Sequence, residues 1–126
     1  MKKLIATPNA PAAVGPYSQA LSAKGEITFV SGQLPIDTTT GEFPAQDIAE
    51  QTRCSLENVQ AVLKAAGCSM DDVLKTTVFL SDIKNFEAMN KVYSEYFQEP
   101  YPARAAFQVA ALPKGALVEI EAVACR

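Results

Sequence analysis

Val118-Glu119-Ile120-Glu121-Ala122-Val123-Ala124-Cys125 reads as a strand in which apolar Val118, Ile120, Ala122 and Ala124 alternate with Glu119, Glu121 and Val123. One side of such a strand needs cover, and the upstream sequence supplies two candidate covers. From about Asp47 to Ala66 the residues Ile48, Thr52, Leu56, Val59, Leu63 and Ala66 recur at helical spacing. Asp47 with Glu50 three residues on resembles a capping box, and Gly67 suits the first position past the helix end. A second helix is expected after Asp82, with Phe86, Met89, Tyr93 and Phe97 on one face and Pro100 and Pro102 ending it.

Strands fill the remaining stretches. Val14–Ala23 and Ile27–Gly32 are expected to pair around a tight turn at Lys24-Gly25-Glu26. Val73–Leu80 is rich in β-branched residues, and Arg104–Ala110 and Ala116–Cys125 close the chain. Pro35–Pro44 reads as an exposed loop. With one apolar face each, both helices can cover the same side of one mixed sheet, an α+β arrangement in a single domain over residues 1–126. The uncovered side has two readings: Glu119 and Glu121 are solvent residues, which alternation alone favours, or the face is an oligomer seam holding a carboxylate.

Composition narrows the function classes. The chain is 48% hydrophobic and 20% charged with a net charge of -3, and no Lys/Arg run exceeds Lys2-Lys3. A non-specific nucleic-acid binder needs a basic stripe, so that class is disfavoured. Pro8 and Pro11 break the stretch where a signal peptide would form its apolar core, and no run reaches membrane-span length. Cys54, Cys68 and Cys125 share no metal-ligand spacing and read as reduced thiols of a cytoplasmic protein. The chain has no histidine, which removes Ser-His and Cys-His pairs and imidazole metal sites. Carboxylates, hydroxyls, backbone groups and Arg or Lys are left, a set suited to an already reactive substrate.

Arg104 opens a strand among Ala103, Ala105, Ala106 and Phe107. Its fork can bind a carboxylate bidentately; the equal alternative is a salt bridge, for instance to Glu119 on the adjoining strand. Tyr17 and Ser18 follow the turn-forming Gly15-Pro16, as a pocket wall and hydroxyl or as strand-start packing. At Ser31-Gly32-Gln33, Gly32 allows either close ligand approach or a bulge. Asn90 lies beside the apolar stripe of the second helix.

These residues also carry a resemblance over essentially the whole chain. Ala10-Pro11-Ala12-Ala13-Val14-Gly15-Pro16-Tyr17-Ser18-Gln19, Ser31-Gly32-Gln33-Leu34-Pro35, Thr76-Thr77-Val78-Phe79-Leu80, Met89-Asn90-Lys91-Val92-Tyr93, Pro102-Ala103-Arg104 and Val118-Glu119-Ile120-Glu121 resemble, in this order, the pattern of the Rid (RidA/YjgF-type) family. The resemblance implies a chorismate-mutase-like α+β fold, a mixed six-stranded sheet with two helices on one face. It further implies a homotrimer with clefts between subunits and cofactor-free hydrolysis of 2-imino and 2-enamino acids to 2-keto acids and ammonia. Carried across by position, Arg104 would bind the substrate carboxylate and Glu119 would hold the attacking water. Tyr17, Ser31, Gly32, Asn90 and Ala106 would line the pocket. Many relatives read Pro-Ala-Arg-Ser-Cys where this chain has Pro102-Ala103-Arg104-Ala105-Ala106; Ala106 supplies the same backbone N–H but no thiol. Two other functions stay in view: a ligand-sensing trimer without turnover, and, less favoured, an endoribonuclease or translation inhibitor.

Overall fold

The computed structural model describes residues 2–126. The elements run β1 (Lys3–Ile5), β2 (Ala20–Ser22), β3 (Ile27–Gln33), α1 (Ile48–Ala65), β4 (Val73–Leu80), α2 (Phe86–Tyr96), β5 (Ala103–Gln108) and β6 (Val118–Cys125). The main sheet has four strands in the order β3-β6-β4-β5. β6 is antiparallel to both β3 and β4, whereas β4 and β5 are parallel. β1 and β2 form a separate antiparallel ribbon. The expected six-stranded sheet is therefore corrected to a mixed four-stranded sheet and a two-stranded ribbon, and β1 was not anticipated from its few residues.

The expected hairpin across Lys24-Gly25-Glu26 does not form. β2 pairs with β1, and the turn closes on the end of the chain instead. Glu26 N–H donates to the Arg126 carbonyl at 2.9 Å, and Arg126 N–H returns the bond to Glu26. Gly25 sits at φ +147°, and a Cβ there would come within 2.7 Å of the Arg126 backbone. Glycine is required because another stretch of backbone occupies the space.

α1 begins where its sequence says: Asp47 accepts the Glu50 N–H at 2.9 Å. It ends in a Schellman motif, with Gly67 at φ +79° and the Gly67 and Cys68 N–H groups donating to Lys64 and Leu63. Leu56, Val59 and Leu63 of α1, Met89 and Tyr93 of α2, and Val78, Leu80, Val118 and Ile120 of the sheet are fully buried together. The helices thus cover the sheet face that carries the even-numbered residues of β6. The opposite face keeps Phe29, Ile27 and Phe107 well exposed, at 77%, 57% and 44%.

Candidate active site

Arg104, the second residue of β5, pairs in register with Thr76 of β4, which pairs with Ala122 of β6. This row lies on the helix-covered face, because Thr76 and Ala122 are both buried. α2 brings Phe86, Asn90 and Tyr93, at helical spacings of four and three, to the same face. Arg104 Nη1 donates to Asn90 Oδ1 at 2.6 Å. Its Cζ stands 4.7 Å from the Tyr93 ring centroid and 5.6 Å from those of Tyr17 and Phe86. The Tyr93 ring is itself held by a 2.7 Å hydrogen bond between its hydroxyl and Thr76 Oγ1.

Among the described residues no carboxylate pairs with this cation. Among the described residues the ion pairs are Arg53–Glu95 and Arg126–Asp72. Burial pushes the Arg104 guanidinium below its ordinary value, and Tyr93 and Tyr17 oppose that shift. A guanidinium nonetheless remains charged near neutral pH. The salt bridge to Glu119 is excluded by topology: β4 lies between β5 and β6, and Glu119 points to the opposite face. What remains is a half-buried cation with a single amide acceptor and free N–H edges, an arrangement fitted to an incoming anion.

Tyr17 reaches Arg104 from a different part of the chain. Gly15 adopts φ +117° just before it. Ser18, just after it, donates its N–H to Pro102 O at 3.1 Å and its hydroxyl to Tyr101 O at 2.5 Å. Ser18 also bridges Ala103, the residue before Arg104. The hydroxyl of Ser18 therefore ties the chain down. Ala106 is on the same face as Arg104, partly buried against the core.

Gly32 and Glu119 form a second cluster, with Ser31 exposed next to Gly32 in the chain. The β3–β6 register shifts between Val30 and Gln33, so a bulge places Gly32 over Glu119. A Cβ on Gly32 would collide with the Glu119 carboxylate. Close approach and bulge, alternatives in the sequence, are one feature here. Glu119 stands on the sheet face opposite Arg104, with β4 between their two strands, so the Arg104 and Glu119 clusters do not meet within one chain. Sequence reasoning treated Phe86 and Tyr93 only as core and missed them as walls around Arg104. Their spacing relative to Asn90 was the available signal. Among the described residues no group of three or more His, Cys, Asp or Glu side chains gathers as a metal site.

The family model described as Endoribonuclease L-PSP matches residues 7–126. A RutC family protein of Pyrococcus horikoshii is 55% identical over 124 residues, 98% of each chain. The 2-iminobutanoate/2-iminopropanoate deaminase of Bos taurus is 51% identical over 98% of this chain and 90% of its own. The crystal structure of Escherichia coli TdcF with bound serine matches with a TM-score of 0.76 at 48% identity, covering 98% of both chains. This chain belongs to the endoribonuclease L-PSP family, the YjgF/Rid family.

Proposed function

We propose that this protein is a 2-imino acid deaminase working as a cytoplasmic homotrimer. Water adds to the C=N carbon of a 2-imino acid, or of the imine tautomer of a 2-enamino acid. The C–N bond then breaks to leave a 2-keto acid and ammonia. The observation that carries this reading is the unpaired Arg104 cation between Tyr17, Phe86 and Tyr93, with relatives of about half identity named as deaminases acting on 2-iminobutanoate and 2-iminopropanoate. Arg104 takes the substrate carboxylate while Asn90 fixes its fork and Tyr17 closes one side.

Glu119, seated over Gly32 with Ser31 beside it, holds the attacking water, and the Ala106 backbone lines the pocket. Because the two clusters lie on opposite faces of one sheet, the complete site is formed between copies, Arg104 from one and Glu119 from the next. The imine carbon is already electrophilic, so orientation and one carboxylate suffice without imidazole or cofactor. The apolar face bearing Ile27, Phe29 and Phe107 supplies the trimer contact.

The test generates imines in situ with an amino-acid oxidase and follows keto-acid release. Wild-type protein is expected to accelerate release over the oxidase alone, and Arg104→Ala to abolish the gain. Equal rates with and without the protein would sink the proposal. A ligand-sensing role is favoured only by the serine bound in the TdcF structure. It predicts keto-acid affinity without turnover, unchanged in Glu119→Ala.

A further inference from the structure

The segment from Thr7 to Val14 is exposed and contains neither helix nor strand. Two prolines in it, Pro8 and Pro11, lack N–H donors, so it has little means of holding itself. One side chain further along the chain does so. Gln19 Oε1 accepts the Thr7 N–H at 2.7 Å, and Gln19 Nε2 lies 3.1 Å from Thr7 O, 3.3 Å from Ala10 O and 2.6 Å from Pro11 O. The far end of the segment is then held by a second side chain: Val14 N–H donates to the Tyr17 hydroxyl at 3.2 Å.

These contacts form a chain of restraint that ends at Arg104. Ser18 fixes the backbone between Tyr17 and Gln19 to the start of β5 through Tyr101, Pro102 and Ala103. The Gln19 amide fixes the strap relative to that backbone. The strap presents the Val14 N–H to the Tyr17 hydroxyl, and the Tyr17 ring faces Arg104 Cζ at 5.6 Å. Without Gln19, the strap carbonyls would find water at little enthalpic cost, but the strap would regain its backbone freedom. Val14 would then no longer restrain Tyr17.

We infer that Gln19 is a positioning residue for the anion site, acting through the Thr7–Val14 strap and the Tyr17 hydroxyl to hold the Tyr17 ring against Arg104. The inference rests on Arg104 as the carboxylate anchor proposed above. It assigns an affinity role to a half-buried amide that touches no substrate.

The test compares wild type, Gln19→Ala, Tyr17→Phe and the double variant. The probe is 2-oxobutanoate, with its Kd measured by calorimetry, alongside KM and kcat in the imine assay and amide hydrogen exchange over residues 9–14. Gln19→Ala is expected to raise Kd and KM together by about three- to tenfold, leave kcat nearly unchanged and speed exchange in the strap. Because Gln19 acts through the Tyr17 hydroxyl, the double variant should bind no worse than Tyr17→Phe. An unchanged Kd in Gln19→Ala, a fall in kcat at constant KM, or multiplying effects in the double variant would overturn the inference. If the wild type binds the keto acid but shows no turnover, while Gln19→Ala still raises Kd and speeds strap exchange, the deaminase reading fails and the inference stands. A wild type that does not bind 2-oxobutanoate overturns the carboxylate anchor and this inference together.

Discussion

A guanidinium is tolerated against three ring faces because their negative quadrupoles and one amide oxygen replace part of its lost hydration. Asn90 and the Tyr93 ring define its plane, and geometry as much as charge is what Arg104 offers a carboxylate. Arg104→Ala should cost kcat/KM on the order of 2–5 kcal/mol, and Arg104→Lys should recover little because an ammonium cannot reproduce the planar fork; steady-state kinetics on one imine series checks both. Tyr93→Phe keeps the ring but strands the buried Thr76 hydroxyl, so denaturant unfolding should show a loss of about 1–3 kcal/mol. Tyr93 also sets an alkaline limit. Burial pushes its hydroxyl from 10.0 up to about 12, with the Thr76 hydrogen bond and the Arg104 charge opposing. The unfolded chain therefore releases this proton first, and the contribution is complete below about pH 10 and lost as pH rises toward 12. Stability of the wild type against unfolding should fall across that window, and Tyr93→Phe should flatten part of the slope.

At the scale of elements, local signals and long-range ones part company. α1 was readable at both ends because its stops are local: the Asp47 side chain on the Glu50 N–H, and Gly67 in the left-handed region. Gly67→Ala should destabilise by about 1 kcal/mol, measured by thermal unfolding, since alanine resists φ +79°. The β2–β3 hairpin was misread for the opposite reason. Gly25 has a turn residue's freedom, but Arg126, a hundred residues away, uses it. Gly32 belongs to the same class. Gly32→Ala should push the Glu119 carboxylate aside and lower kcat on the order of 10²-fold, while the unfolding midpoint moves little because Gly32 is not in the left-handed region.

For the molecule as a whole, the question is what covers the open sheet face. Phe79 and Phe107 meet edge to face at 5.6 Å on that side, and Phe29 is among the most exposed large apolar residues. Such a patch marks an interface more often than a solvated surface. Phe29→Glu should convert the proposed trimer to monomers in sedimentation velocity and remove activity with it, since Arg104 and Glu119 would no longer come from neighbouring copies.

The amino-acid sequence by itself determined the helices, the caps of α1, the strands β4 and β6 and which side of β6 is buried. Each of these depends on periodicity or on groups a few residues apart. It also singled out Arg104, Tyr17, Asn90, Gly32 and Glu119, but left open whether Arg104 pairs with Glu119. Only the tertiary structure decided that. Strand order puts β4 between them and pleat parity sends them to opposite faces, while packing against α2 gives Arg104 aromatic rings and an amide instead of a carboxylate. Strand neighbours and facing side chains are set by contacts between distant parts of the chain, which no local pattern encodes.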